Sequence, residues 1–182
     1  MYAISFNFVG IAALNGEQQS LTAANQLTLG RHHLSLANQR TYPMAYHNSR
    51  WAHTTFAIDQ VTVYRTQRPY RIPSNDGPLT ITGIIRVHMK IHAGANIQTY
   101  PAAKMLTLND GQRLIADRSN SDVFAGDLNQ GIRTAGNIYF LVPRLNEVSD
   151  VTALDLAWDA ALRSRPQAIR PFHAKVTLDS KK

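Results

Sequence analysis

The 182-residue chain contains no cysteine, which excludes disulfides, thiolate zinc sites and cysteine nucleophiles while fitting either a reducing cytosol or a bacterial surface. Glutamate occurs only at Glu17 and Glu147. A glycosidase needs two carboxylates about 5–10 Å apart across a sugar site, and no spacing brings these two together. No run approaches the roughly 18 apolar residues of a membrane-spanning helix, so the chain is expected to be soluble. The opening "MYAISFNFVGIAALNGE" is apolar but lacks the positive segment of a secretory signal, and we do not read it as an intact one. Helical periodicity is nearly absent: only "DAALRSR" at 159–165 offers one or two turns before Pro166. G-x-S-x-G, Walker and H-E-x-x-H motifs are also missing, so a hydrolase would need a Ser, His and Asp set, or loop carboxylates, assembled only by folding.

Charge is present in excess of one sign. The net charge is +7 and is unevenly placed: residues 1–71 carry six Arg against Glu17 and Asp59, residues 72–160 are slightly acidic, and residues 161–182 carry six basic groups against Asp179. Such an excess favours polyanionic surroundings through attraction that salt weakens, or serves solubility alone. Arg outnumbers Lys by fourteen to five, and a guanidinium is the better bidentate partner for phosphate.

From residue 54 onward the dominant period is two. In "LTITGIIRVHMKIHA", Leu79, Ile81, Ile85, Val87, Met89 and Ile91 share one parity and Arg86, His88, Lys90 and His92 the other, as in a strand with one buried face. Phe56 and Ile58 fall out of phase with Val61 and Val63, which predicts a bulge near Asp59 and Gln60. "NDGQ" at 109–112 predicts a hairpin turn between Leu106–Leu108 and Leu114–Ala116. Ile138 to Val142, Leu154 to Trp158 and Phe172 to Leu178 complete seven strand segments. The first fifty residues alternate at Tyr2, Ile4, Phe6 and Phe8, at Leu27 and Leu29, and at Leu34 and Leu36, with polar stretches such as "ANQRTYP" between and after. They predict an N-terminal extension, 1–50, supplying one or two strands joined by long loops, ahead of a sandwich domain over 51–182.

The Gly-rich stretch "DLNQGIRTAGNIYFLVP" has the look of a phosphate cradle. A cradle needs a helix after its glycines, and none follows; Gly131 and Gly136 therefore serve a turn entering a core strand, where positive φ or close backbone approach is required. "FAIDQVTVYRT", "LTITGIIRVHMKIHAG", "KMLTLNDGQRLIAD", this stretch and "VTALDLAWD" together resemble, in their order, the immunoglobulin-like extracellular domain of unknown function of Gram-positive surface lipoproteins, which is similar to the secreted immunoprotective antigens of mycobacteria. The resemblance spans roughly residues 51–180. It implies an all-β, immunoglobulin-like antiparallel β-sandwich exposed outside the cell or on its surface, with no catalytic or cofactor-binding residues to carry over. The chain departs from that pattern in having no lipid-attachment cysteine and in residues 1–50.

The candidate binding residues follow from the outward parity of two strands. Arg86, His88, Lys90 and His92 line one and His173 and Lys175 another; if these strands are neighbours, the sandwich has a cationic outer face suited to polyphosphate or another polyanion. A solvated strand face is the plainer alternative. His88 and His92 are about 13 Å apart on a strand, too far to share a metal ion. Asp110, Asp117, Asp122 and Asp127 match no calcium loop, and turn residues are the expected reading. No metal or cofactor is expected. Trp158 is expected in the core and Trp51 as an exposed aromatic contact. No exposed sheet interleaves aromatics with basics, so nucleic acid is the weaker polyanion. The expected function is a non-enzymatic surface binding or adhesion module, with an anionic cell-wall polymer or an extracellular protein as partner.

Overall fold

Period-two burial is realised as eleven strands in a computed structural model that describes residues 25–179. In chain order they are β1 (Gln26–Leu29), β2 (His32–Trp51), β3 (Thr54–Ser74), β4 (Gly77–His92), β5 (Ile97–Thr99), β6 (Met105–Leu108), β7 (Arg113–Ile115), β8 (Gly126–Leu128), β9 (Arg133–Val142), β10 (Ala153–Leu162) and β11 (Arg170–Thr177). Two short 3₁₀ turns, Pro101–Ala103 and Val148–Asp150, are the other regular elements among the described residues. The alternation at Tyr2 to Phe8 falls outside the described residues.

Sheet I has the order β1-β2-β3-β4-β9. In sheet II, β10 carries β11 on one side and β5 and β6 end to end on the other, with β8 beyond β5 and β7 beyond β6. All pairs are antiparallel. The inner faces enclose one large core: Phe56, Val63, Val87, Met89, Ile138 and Phe140 from sheet I meet Leu106, Leu154, Leu156, Trp158 and Phe172 from sheet II. Removal of this apolar surface from water is the main favourable term holding the sheets together.

Twenty-residue strands extend about 65 Å, longer than one sandwich can cover. The far half of sheet I therefore curls into a half-barrel and builds a second core of Leu29, Leu34, Leu36, Tyr64, Ile72, Ile81, Ile84 and Leu141. This corrects the single buried face expected for β4. Ile81 and Ile85 share a parity yet enter different cores, because β3 pairs Arg65 with Gly83 and then Tyr70 with Ile81, so four residues bulge opposite Thr82 and re-aim the strand. Ser35 N–H donates to the Tyr70 hydroxyl across 2.9 Å; hydrogen bonding from the Ser35 side chain, then from Arg68, and then from this N–H holds the phenol down to about 8.

The smaller bulge occurs as expected, with Asp59 the extra residue between the pairs Ile58–Met89 and Gln60–His88. The "NDGQ" hairpin forms between β6 and β7, with Gly111 at φ 89°. Gly131 and Gly136 divide the two uses expected of them. Gly131 has φ 87°, whereas Gly136 gives room to Phe124, whose Cγ would lie 2.7 Å from an added Cβ.

Three expectations are corrected. The two strands of the N-terminal region exist, but they are joined by a tight turn, and "ANQRTYP" is not loop: it lies within β2, paired to β3 from Leu36–Thr66 to Trp51–Thr54. Beyond β1, β2 is a sheet edge, partly solvated on both faces, so its composition is polar; Pro43 and a register shift at 43–46 break its pairing surface. "DAALRSR" is not helical, since β10 continues through Leu162 to pair Ala160, Ala161 and Leu162 with Thr99, Gln98 and Ile97; tertiary pairing overrides the helix propensity of the alanines. Trp51 is not a free aromatic contact: it packs edge-on against Phe172 at 5.7 Å, next to buried Trp158.

Candidate anion-binding face

Directly paired residues share a face of the sheet, so the ladders show what the six predicted basic residues become. β4 lies between β3 and β9, and β11 pairs only with β10 in the other sheet. Arg86, His88, Lys90 and His92 are therefore not neighbours of His173 and Lys175, and the single cationic sheet face does not form. His173 instead faces Asp155, Nδ1 donating to Oδ1 at 3.2 Å, and Lys175 is paired across from the same aspartate.

The β4 set is itself divided. Arg86 Nη2 donates to Gln60 Oε1 at 3.1 Å and Thr62 Oγ1 at 3.0 Å, with its guanidinium 5.8 Å from the Tyr64 ring centre. Burial pushes the Tyr64 phenol up, against the pull of Arg86. These contacts make Arg86 a structural residue of the outer face. His88 Nδ1 donates to Asp59 Oδ1 at 2.5 Å, and Lys90 Nζ to Asp59 Oδ2 at 2.7 Å. The bulge explains the meeting, since it turns the Asp59 side chain toward β4. Partial burial pulls the Asp59 carboxyl up, but hydrogen bonds and charge from Lys90 and His88 outweigh it and hold the group below its ordinary value.

Beyond Lys90 the face changes character. The pairs Ala57–Lys90–Ala135 and Thr55–His92–Arg133 run side by side across β3, β4 and β9. Small side chains on the outer strands leave a groove of about 430 Å³, walled by Lys90, His92 and Arg133 and floored by Thr55, Ala57 and Ala135. His47 joins the row through its pairing with Ala57. Among the described residues neither His92 nor Arg133 has an acidic partner, and Lys90 is shared with Asp59. Arg133 was missed from sequence because its only signal is outward parity in β9, which acquires meaning once β9 is known to flank β4.

Other candidate groups do not converge. Asp110 accepts from Gln112 N–H at 3.0 Å in the hairpin turn. Asp117 is buried and accepts from Asn120 Nδ2 at 2.6 Å, and Asp122 accepts from Asn137 N–H at 2.8 Å. No three His, Asp or Glu residues gather in metal-binding geometry among the described residues. A cavity of about 250 Å³ between the β3–β4 turn and β7 is lined by Asp76, Asp117 and Arg113, and Asn75 Nδ2 there donates to the Ala116 carbonyl. Its two carboxylates outnumber its one guanidinium, so it does not suit an anion.

Asp59 is the charge regulator of the face. Its folded pKa lies below its unfolded value of roughly 4, so the stability it contributes is present above that value and is lost as pH falls through the folded pKa. Asp59→Asn is expected to flatten the dependence of stability on pH below about pH 4; urea titrations between neutral and acid pH check this. An unchanged acid limb would mean that the three-residue cluster carries no net linkage.

An all-β protein built as two facing antiparallel sheets, with a groove walled by Lys90, His92 and Arg133 on one outer face, is the class that fold and site define. No family model matches the chain, and no curated protein does. The fold is similar to that in the crystal structure of a functionally unknown protein from Listeria monocytogenes EGD-e, at 13% identity and a TM-score of 0.51, covering 83% of this chain and 90% of that one. At that identity the likeness concerns fold alone. No helix among the described residues is long and apolar enough to cross a membrane.

Proposed function

We propose that the protein is a non-enzymatic binding module of the Gram-positive cell surface, an immunoglobulin-like sandwich that holds an anionic envelope polymer in the groove of sheet I. The observation that carries this reading is the row His92–Arg133 beside Lys90, a guanidinium and an imidazole without acidic partners above a floor of small residues. Resemblance of residues 51–180 to the extracellular domain described above supplies the surface address. An anion entering the groove meets a guanidinium with a free planar donor fork, an ammonium and an imidazole N–H donor.

Sedimentation of the purified protein with Gram-positive cell walls, with and without their teichoic acids, tests this between roughly 50 and 500 mM salt. Binding is expected to require the polymer, to fall with salt, to weaken in Arg133→Gln and to strengthen in Asp59→Asn, which releases Lys90. Binding insensitive to salt and to both substitutions would sink the proposal.

A further inference from the structure

The groove opens onto one end of the sandwich, where four loops meet: 52–53, 93–96, 129–132 and 163–169. They form one surface because they are tied together. Gly131 N–H donates to the Ala93 carbonyl at 2.7 Å and Gln130 N–H to Asn96 Oδ1 at 2.8 Å. Arg163 N–H donates to the Asn96 carbonyl at 3.0 Å, and its Nη1 donates to Asn129 Oδ1 at 2.6 Å. Gly94 packs directly against the backbone of the 52–53 turn. None of the four loops contains Asp or Glu. Arg163, Arg165 and Arg170 are exposed in and beside the loop from sheet II, and Arg50 and Arg133 are exposed where β2 and β9 reach the same end. Loops at the other end, 75–76, 109–112 and 143–152, instead carry Asp76, Asp110, Glu147 and Asp150 against Arg144.

Resting on the groove reading, we infer that the ligand is a linear phosphate-containing polymer without bases, long enough to run from the groove across this arginine end to sheet II. Length is indicated because facing sheets stand about 10 Å apart, so a polymer is the ligand that lies in the groove on the outer face of sheet I and also runs along the arginines of the 163–170 segment. Phosphate is indicated over carboxylate by composition: five of the six full-time cations along the path are Arg, Lys90 being the sixth. A base-bearing polymer is disfavoured because successive bases need a row of rings: Trp51 is engaged with Phe172, Phe56, Trp158 and Phe172 are buried, and exposed Tyr100 beside Ile169 is a lone ring.

The test measures binding of the full chain to tripolyphosphate, long-chain polyphosphate, poly-glutamate and single-stranded DNA over a salt series. Wild type is expected to prefer long-chain polyphosphate. The triple variant Arg163→Gln, Arg165→Gln, Arg170→Gln is expected to lose about tenfold or more on the long chain, its log–log salt slope falling by about 2, with tripolyphosphate binding unchanged. His92→Gln with Arg133→Gln is expected to lose both ligands. These side chains are exposed or half-buried on the surface, and an unchanged melting temperature verifies the fold. Full retention of long-chain binding by the triple variant would overturn the inference while leaving the groove reading intact. Equal binding of poly-glutamate would overturn the assignment to phosphate, and tighter binding of DNA would overturn the assignment to a polymer without bases. No effect of the groove pair on either phosphate ligand would overturn the groove reading itself.

Discussion

Trp158→Ala is expected to lower stability by about 3–5 kcal/mol, and hence the melting temperature by roughly 6–20 °C for a domain of this size. The indole is 1% exposed and lies at the centre of an aromatic group, stacked on Phe172 at 5.5 Å and edge-on to Phe56 at 5.3 Å. Truncation removes both ring contacts and leaves a cavity that β strands, fixed by their ladders, cannot collapse to fill. Its Nε1–H, however, finds no acceptor in the protein. A buried orphan donor costs about 1–3 kcal/mol, so Trp158→Phe, which keeps a ring and removes the donor, is expected to cost under about 2 kcal/mol. Thermal denaturation of the two variants checks the pair. Equal losses would mean that the indole N–H is satisfied and that the whole ring, rather than its face, is what the core needs.

Gly94→Ala is the second large effect, expected at about 3 kcal/mol or more. An added Cβ would collide with the carbonyl of His53 and come within 2.7 Å of the Ala52 carbonyl oxygen. Both are backbone atoms of a two-residue turn and cannot rotate aside. That turn is already unusual: Ala52 and His53 have φ 49° and 50°, a left-handed conformation that costs an L-residue about 1–2 kcal/mol and that hairpins normally give to Asn-Gly. Gly94 N–H donates to Thr54 Oγ1 at 3.1 Å, and that hydroxyl donates to the Ala52 carbonyl at 3.2 Å, bracing the turn from below. His53→Gly is accordingly expected to raise stability by about 1 kcal/mol, measured by urea unfolding. If His53→Gly is neutral and Gly94→Ala mild, the turn is free to move and the strain is not held.

How much could be read from the sequence depends on what leaves a period in it. Burial on one face imprints alternation, so β4, β9, β10 and β11 were legible, as was the slip of phase that marks the Asp59 bulge. β5 and β8, three residues each, are too short to display a period. The second core was hidden because alternation says that sides differ without saying which core each side meets, and the switch at Thr82 leaves Ile81 and Ile85 in step. For the site, parity identified Lys90 and His92 as outward. Their grouping with Arg133 rather than with Lys175 depends on strand pairing, a long-range choice that no local pattern encodes. The acid-free loops were visible as segments but not as neighbours, since four loops separated by tens of residues meet only through the register of both sheets.

The directions of the strands give the molecule two distinct poles. Asn25 accepts from Leu36 N–H, on the stretch of β2 that pairs with the distant half of β3, and Leu178 N–H donates to the Thr152 carbonyl, beside the start of β10. Both ends of the described chain thus emerge away from Arg163, Arg165 and Arg170. The strand ends that begin and close the described chain and the arginine surface therefore lie at opposite poles, an arrangement that follows from the strand order itself.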